Sequence, residues 1–508
     1  MKRSKVIGIV SAVGLAGIAT AQQYYTVDYA NDRLLMVTVT GPTATAVSLG
    51  SLGVNVTEPP DLTRHEGVLY MTANVAGAIR IYQVVTSGVF VGQAIGGMPL
   101  NVSGNNVAIS EGLTSSPTGL LVSYGATSSS TIGSVDATTG LITNPFALPF
   151  DGDGLCRMGS TVWAVDGAVT GGNRTLRRTG NTTWALQSTW TNSDYDANDL
   201  VNHNSTSVIG TGNRVGSLLT WSKTTNNVQS FIPITGFTSI PVGGIAEVGK
   251  PCIKNIPQPN SPWPLYVTVD VNGDSNIQWA GTLTHAGVFR YFKNRLVPAG
   301  QEITNPDLTW FQNNVYMVSK IQSTGRFRFD QILTDGAWQG LAVGNRPVNF
   351  VTPINHVKAL TSDSTNFYVG FGLGTTANLF GTYSPVSNLV TPLGPGAVWD
   401  NDGMGWDGSN FYGVDIIANA NDQLWQRPPG ATSFFTFTAT IPSANNDVND
   451  LEWSYLNELA GISGYNWLYR INKVSGTVSF VRIGGDISNE DQSLWGLCRY
   501  LECAPFEP

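Results

Sequence analysis

The stretch DGDGLCRMGSTVWAVD at residues 151–166 returns as DNDGMGWDGSNFYGVD at residues 400–415. DANDL at 196–200 returns as DVNDL at 447–451, and TEPPDLTRHEGVLYMT at 57–72 returns as TNPDLTWFQNNVYMV at 304–318. The two members of each pair lie about 250 residues apart. This nearly constant spacing indicates a tandem duplication of half the chain, and such repetition constrains the architecture before any single residue does.

A shorter period runs inside each half, where an apolar run begins about every 46 residues. The opening positions are Asp61, Val107, Asp153, Asp199 and Ile245 in the first half, and Asp307, Val357, Asp402, Asp450 and Gly496 in the second. Each unit contains about four segments rich in Val, Ile, Thr, Tyr and Phe, separated by Gly, Asn and Asp. Four short strands per repeat of this length predict the blades of a β-propeller.

The fifth unit of each half is predicted to form from both of its ends. Residues 24–53 would supply three strands and residues 243–248 the fourth, and residues 494–500 would have the same role in the second half. Residues 250–264 contain five prolines and are typical of a linker. We therefore predict an all-β protein with two tandem five-bladed propellers, residues 22–249 and 265–508. One ten-bladed propeller is the alternative.

The N-terminus predicts export. Lys2, Arg3 and Lys5 precede an apolar run, and Ala19-Thr20-Ala21 has the small residues of a cleavage site, so residues 1–21 are interpreted as a signal peptide. A secreted, extracellular or periplasmic location follows. The net charge of −8 disfavours a nucleic-acid partner. We expect no transmembrane segment in the mature chain, because no second apolar run is long enough.

Four cysteines are present, and an even number in an exported chain predicts one or two disulfides. They are Cys156, Cys252, Cys498 and Cys503. Three pairings are compatible with two bridges. The alternative is that they are buried thiols, since free cysteine is among the most buried residue types.

Two predicted innermost strands of the first half carry the same polar pattern, and they provide the candidate catalytic and metal-binding residues. These are Asp61, His65, Asp199 and His203. Because side chains alternate along a strand, each aspartate shares a face with the histidine four residues later. Two carboxylates and two imidazoles directed at one axis could bind a divalent cation such as calcium or zinc, or form an acid and base pair. The alternative is a structural role, with each polar group satisfied by hydrogen bonds.

Tryptophan marks the second half, at Trp310, Trp406, Trp453 and Trp495 on four successive predicted innermost strands. Indole rings near a channel could stack on the faces of sugars, because they combine apolar area with a polar edge. Packing between blades is the alternative. These four residues are the candidate ligand-binding residues.

Aspartates close to glycine suggest a second possible use of calcium. DGDG at 151–154 and DNDG at 400–403 lack the spacing and the distant glutamate of a calcium loop, whereas VDVNGDSN at 269–276 places oxygen side chains at alternate positions. No cofactor is certain from these patterns, and a calcium or zinc ion is the candidate.

The blades end in phrases such as LYRINKVSGTVSFVRIGG at 468–485. They resemble the propeller repeats of secreted bacterial proteins, and the architecture is similar to that of the five-bladed lectin propellers of the tachylectin type. The preferred hypothesis is an exported, non-catalytic binding or scaffold protein whose partner is an extracellular glycan or a surface protein. The alternative hypothesis is a hydrolase or lyase acting on extracellular polysaccharide, with its site in the first half.

Overall fold

The structure is a computed structural model of the 508-residue chain. It describes residues 21–126, 129–167, 173–180, 182–190, 197–212, 214–223, 228–237, 241–249, 265–271, 278–352, 354–363, 365–372, 378–393, 401–415, 421–430, 436–441, 448–455, 457–463, 466–487 and 494–500. All regular elements in these ranges are β-strands.

The described part of the first half contains 22 strands. They are β1 (Gln22–Asp28), β2 (Arg33–Thr40), β3 (Thr43–Ser51), β4 (Asp61–His65), β5 (Val68–Val75), β6 (Ala78–Val84), β7 (Ala94–Pro99), β8 (Asn101–Val102), β9 (Asn105–Asn106), β10 (Ser110–Ser116), β11 (Gly119–Ala126), β12 (Ser129–Val135), β13 (Ile142–Ala147), β14 (Gly154–Met158), β15 (Thr161–Asp166), β16 (Asn173–Arg178), β17 (Trp184–Trp190), β18 (Ala197–Asn202), β19 (Ser207–Gly212), β20 (Ser217–Ser222), β21 (Val228–Thr235) and β22 (Val242–Glu247).

Another 22 strands lie within the described residues of the second half. They are β23 (Leu265–Asp270), β24 (Trp279–Thr284), β25 (Val288–Arg295), β26 (Ile303–Phe311), β27 (Asn314–Ile321), β28 (Phe327–Ile332), β29 (Ala342–Pro347), β30 (Asn349–Phe350), β31 (His356–Ser362), β32 (Phe367–Gly372), β33 (Asn378–Ser384), β34 (Leu389–Pro392), β35 (Asn401–Trp406), β36 (Phe411–Asp415), β37 (Asp422–Arg427), β38 (Thr436–Ile441), β39 (Val448–Tyr455), β40 (Glu458–Ser463), β41 (Trp467–Asn472), β42 (Val478–Arg482), β43 (Gly484–Gly485) and β44 (Leu494–Tyr500).

Most strands form four-stranded antiparallel sheets in chain order, such as β4 to β7, β14 to β17 and β26 to β29. The order differs where each half begins and ends. In the first half β22 pairs with β1, next to Tyr24, and in the second half β44 pairs with β23. The late strand therefore completes the sheet that the early strands begin, as the sequence predicts for residues 243–248 and 494–500.

The innermost strands of neighbouring four-stranded units pack side by side. In the first half β4 contacts β22 and β10, β14 contacts β10 and β18, and β18 contacts β22. In the second half the same cyclic order runs through β26, β31, β35, β39 and β44. Four-stranded sheets arranged in this way give a propeller-like all-β fold.

Burial explains why these sequences form their particular strands. Inner strands such as β20, SLLTWS, are buried along their whole length because other sheets cover both faces. Outer strands such as β25, VFRYFKNR, alternate between exposed and buried residues. Continuous apolar runs indicate strands covered on both sides, and alternation indicates strands with one face in solvent.

The closing strands contain one glycine each in the left-handed region, at φ 64° for Gly244 and 67° for Gly496. A Cβ atom on Gly244 would lie 2.7 Å from Leu62 Cγ, and one on Gly496 would lie 2.8 Å from Leu308 Cγ. Both positions therefore require glycine for its conformation and for space, because the next sheet's first strand packs directly against the backbone.

Candidate functional site

The predicted acidic residues of the first half lie in buried positions at the start of the innermost strands. Asp61 Oδ2 accepts hydrogen bonds from Thr72 Oγ1 at 3.0 Å and from Ser110 Oγ, on β10, at 3.1 Å. Asp199 Oδ2 accepts the backbone N–H groups of Leu62, on β4, and Ile245, on β22. Each carboxyl group therefore links its own strand to strands of other sheets.

Burial changes the protonation of these acids. Loss of hydration raises the pKa of Asp61 to about 7, and the pKa of Asp199 is raised well above its usual range, first by burial and then by the charge of Asp61. Hydrogen bonds from Thr72 and Ser110 partly offset the change at Asp61. Two such carboxyl groups interact so strongly that they titrate as a pair.

The second half repeats this arrangement with Asp307 and Asp450. The backbone N–H of Leu360, on β31, donates to Asp307 Oδ2 at 2.9 Å, and the N–H of Leu497, on β44, donates to Asp450 Oδ2. Burial raises the pKa of Asp307 to about 8, and the two carboxyl groups are close enough to hydrogen-bond through a shared proton. One proton on the pair keeps two buried negative charges from facing each other.

An ion pair beside these acids is present in the second half and is replaced in the first. Lys358 Nζ lies 2.7 Å from Asp402 Oδ1 and links β31 to β35. In the first half the corresponding part of β10 carries Glu111, whose carboxylate accepts a hydrogen bond from Ser130 Oγ. Burial raises the pKa of Glu111 to about 7. The ion pair of the second half is thus replaced by a carboxyl group with a raised pKa.

The two predicted histidines have different surroundings. His203 Nδ1 lies 2.8 Å from the Tyr24 hydroxyl, and the Gln22 side chain donates to the His203 carbonyl. Burial lowers the pKa of both His65 and His203. For His65 the charge of Arg157 also lowers it, and that of Glu66 partly opposes this change. His203 thus packs against β1 of the neighbouring sheet.

The described residues contain no group of three or more His, Cys, Asp or Glu side chains arranged to hold a metal ion. The set Asp61, His65, Asp199 and His203 therefore does not come together as one metal cluster. The two aspartates lie near the beginnings of β4 and β18 and are close enough for their charges to interact. His65 is the last residue of β4 and His203 directly follows β18, so each histidine lies at the other end of its strand. Alternation along a strand places residues on one face, but four residues of extended chain span about 13 Å.

The other candidate calcium ligands lie only partly within the described residues. Asp151 Oδ1 lies 3.1 Å from Ser130 Oγ, and the Asp153 carboxylate accepts a hydrogen bond from the Gly167 backbone N–H. Asp270 Oδ2 accepts one from the Tyr291 hydroxyl at 2.7 Å. Asp400 and residues 272–277 lie outside the described ranges.

The prediction of two disulfides is wrong, and the alternative of buried thiols is confirmed for two of the four cysteines. Cys156 and Cys498 are buried free thiols. Cys156 belongs to a core cluster with Trp163 and Trp221, and Cys498 to a different cluster with Val267 and Met317. Because they lie in the cores of different halves, these two cysteines cannot pair. Cys252 and Cys503 are outside the described residues.

Three of the four predicted tryptophans occupy equivalent places near the ends of innermost strands, just before the hairpin turn. Trp310 pairs with Val315, Trp406 with Phe411 and Trp453 with Leu459. All three indoles are partly buried. Trp406 packs on Phe411 with ring centroids 4.5 Å apart. We call Trp310, Trp406, Trp453 and the adjacent Arg499 the tryptophan belt.

Arg499 was missed in the sequence analysis, although it follows Leu497 by two residues as Trp310 follows Leu308. Its guanidinium carbon lies 5.0 Å from the centroid of the Trp453 ring, a cation–π contact. The buried atoms Trp453 Nε1 and Arg499 Nε have no hydrogen-bond partner among the described residues. Two buried donors of the belt therefore have no acceptor within the described part of the chain.

Glu452 was also missed. Its carboxylate accepts hydrogen bonds from the backbone N–H of Trp453, at 2.8 Å, and from the backbone N–H of Arg499. Burial raises the pKa of Glu452 to about 7. One acidic side chain thereby fixes the backbone of β39 relative to that of β44.

Trp495 belongs to another place, because it pairs with Val269 near the start of β44, at the opposite end of that strand from Arg499. It borders a cleft of about 530 Å³. The cleft is also lined by Glu302, Asn305 and Gln322. The expected row of four tryptophans is therefore a group of three at one end and a single indole in a polar cleft at the other.

Comparison with known proteins identifies no relative by sequence: no family model matches the chain, and no curated protein does. Three solved structures show a weak likeness. A nidogen/laminin complex has 9% identity, covers 47% of this chain and 98% of its own, and has a TM-score of 0.34. The computationally designed Ika8 protein has 13% identity, covers 76% and 100%, and has a TM-score of 0.22. A GH43_1 enzyme from Xanthomonas citri has 10% identity, covers 46% and 87%, and has a TM-score of 0.28.

The sequence predicts that the mature chain has no transmembrane segment, and the secondary structure bears on this prediction. Within the described ranges there is no helix with the length and apolar character needed to cross a membrane. This agrees with the sequence-based expectation of no transmembrane segment in the mature chain.

Proposed function

We propose that this is an exported, non-catalytic binding protein that recognises an extracellular glycan at the tryptophan belt. The observation that carries the proposal is the grouping of Trp310, Trp406 and Trp453 with Arg499 near the ends of neighbouring strands. Indole faces provide apolar platforms for the C–H faces of sugars. The guanidinium group of Arg499 would provide donors for hydroxyl or carboxylate oxygens.

The proposal includes the finer architecture. The chain would consist of two five-bladed propellers, residues 22–249 and 265–508, derived from one duplicated unit and joined by residues 250–264. The cyclic order of contacts between first strands supports five blades in each half. The matching acids, Asp61 with Asp307 and Asp199 with Asp450, support the duplication. Residues 1–21 would direct export.

The alternative, a polysaccharide hydrolase or lyase that uses Asp61, His65, Asp199 and His203, has less support. Asp199 is fully buried, and its carboxylate already accepts three backbone N–H groups. A general acid or base must reach its substrate directly or through one water molecule. Glycan binding requires exposed indole faces, and the three indoles of the belt are each partly exposed.

A glycan microarray followed by calorimetry on the best glycan tests the proposal. We expect Trp453→Ala to weaken binding at least tenfold. Trp467→Ala is the matched control, since Trp467 is also partly buried but lies on β41, a third strand. If no glycan binds, or if Trp453→Ala binds as tightly as Trp467→Ala, the tryptophan belt is not a glycan site.

A further inference from the structure

Two loops with the same internal structure connect a third strand to a fourth, one in each half. The first loop, residues 85–93, follows β6, and the second loop, residues 333–341, follows β28. The Gly92 N–H donates to the Val85 carbonyl at 2.8 Å, and the Gly340 N–H donates to the Leu333 carbonyl at 2.7 Å. The two loops therefore have the same fold.

Each loop reaches into the other half and makes the same polar contact there. The Val89 N–H of the first loop donates to the Tyr316 hydroxyl at 2.9 Å. The Ala337 N–H of the second loop donates to the Tyr70 hydroxyl at 3.1 Å. Tyr70 and Tyr316 occupy the same place in the second strand of their sheets. The contact is therefore reciprocal.

The next residue of each loop is a large aromatic that enters the opposite core. Phe90 belongs to a second-half cluster with Phe329, and Trp338 belongs to a first-half cluster with Ile81. The receiving surfaces are glycines: a Cβ atom on Gly344 would lie 2.2 Å from the Phe90 ring, and one on Gly96 would lie 2.0 Å from the Trp338 ring. Each half therefore contributes one aromatic and one glycine-lined recess.

The two sides differ in one detail. The Gln83 side chain contacts the second loop. Its oxygen accepts the backbone N–H of Trp338 at 3.3 Å, and its amide nitrogen donates to the Asp335 carbonyl at 3.4 Å. Its counterpart Gln331 donates instead to Asn314, which also accepts from Ser87 Oγ at 3.1 Å. Both halves therefore use the same type of surface, but the glutamine beside the loop makes a different hydrogen bond in each half.

We infer that the two halves recognise each other as copies of one self-complementary surface, and that their association does not depend on residues 250–264. An interface in which residue i contacts j while j contacts i is the isologous type found in two-fold dimers. None of the described sheets combines strands from both halves, so the loops and the recesses carry the association. This inference is independent of the proposed glycan site.

Cutting the linker tests the inference on the full chain. A protease recognition site placed within residues 250–264 is cleaved in the folded protein, and the product is analysed by size-exclusion chromatography at low micromolar concentration. We expect the two fragments to elute together at the position of the uncut protein without denaturant. Separate elution of the two fragments would overturn the inference.

A variant identifies the surface responsible. Phe90→Ala/Trp338→Ala should shift the cut protein to separate fragments, whereas Trp467→Ala/Phe480→Ala, which removes an aromatic pair on β41 and β42, should leave it intact. Where the first variant does not fold, Tyr70→Phe/Tyr316→Phe removes only the two reciprocal hydroxyl groups and should increase the separated fraction. Co-elution of every loop variant to the same extent as the control would contradict the role of the loops.

Discussion

The backbone N–H of Leu62 donates to the Asp199 carboxylate across 3.1 Å, although the two residues are 137 positions apart in the chain. The same oxygen accepts the N–H of Ile245 at 2.8 Å. Asp199 therefore links its own strand, β18, to β4 and β22. These hydrogen bonds favour a structural role for a residue that the sequence pattern offers as a catalytic candidate.

Replacing Asp199 with alanine should reduce stability strongly. Three buried N–H groups, those of Leu62, Leu200 and Ile245, would lose their acceptor, and an unpaired buried donor costs about 1–3 kcal/mol. Part of this loss is offset because the variant no longer buries a carboxyl group. We expect Asp199→Ala to lower the free energy of unfolding by about 2–5 kcal/mol in urea titrations. Asp136→Ala, at an exposed turn, is the control and should cost less than about 1 kcal/mol. Equal losses in the two variants would contradict this role of Asp199.

Stability should fall as the pH rises from about 4 to 8. The pKa values of Asp61 and Glu111 are raised to about 7 and that of Asp307 to about 8, so the folded protein holds protons that the unfolded chain has released. Above the unfolded pKa values each such group lowers the free energy of unfolding by up to about 1.4 kcal/mol per pH unit, until its folded pKa is passed.

Urea midpoints measured between pH 5 and pH 8 check this prediction. The midpoint should decrease towards pH 8, and Asp61→Asn/Asp307→Asn should flatten the profile because an amide does not titrate. A wild-type midpoint that increases over this range would show that other groups dominate the linkage.

The glycines of the closing strands should not tolerate a methyl group. Gly244→Ala and Gly496→Ala would each combine backbone strain with a close contact to a leucine, and we expect a loss of about 2–4 kcal/mol in the free energy of unfolding. Gly41 has a similar φ of 62° but no atom within 4 Å of an added Cβ. Gly41→Ala should therefore cost only about 1 kcal/mol in the same urea titrations. If all three variants lose the same stability, packing against the leucines contributes nothing.

Metal titrations should not depend on the two histidines. Because His203 faces Tyr24 and no metal cluster is present among the described residues, calorimetry with zinc, manganese and calcium should give the same result for the wild type and for His65→Ala/His203→Ala. Loss of a zinc-binding event in the variant would restore the sequence-based hypothesis of a metal site at Asp61, His65, Asp199 and His203.

The repeat pattern predicted the strands, the pairing of the closing strands and the places of the buried aspartates, because these depend on local alternation and on periodic spacing. The position of Trp495 could not be predicted in this way. The prediction placed each tryptophan by its distance from the aspartate that opens its strand. The last strand has Gly496 where the others have this aspartate, so the predicted position of Trp495 is wrong by most of the length of the strand.

The contacts of the histidines and of the loops could not be predicted from the sequence for a different reason. Alternation places His203 on a face of its strand, but which neighbour it meets depends on the packing of another sheet. Phe90 and Trp338 lie in glycine-containing loops, a composition that predicts only a turn. Nothing in either loop indicates that its aromatic side chain enters the core of the opposite half. Contacts between distant segments leave no periodic signal in the sequence.

The parallel pairing of the outermost strands β3 and β21 has a consequence for solubility. An outer strand normally presents a row of free backbone donors and acceptors on which a second molecule can add a strand, which is how sheets begin to aggregate. Here Ala44 and Thr45 use part of that row on Ile234 and Thr235 of the same molecule. Short pairings of β25 with β43 and of β30 with β34 do the same in the second half. A protein with so many sheets thereby leaves less of its backbone open to intermolecular strand addition.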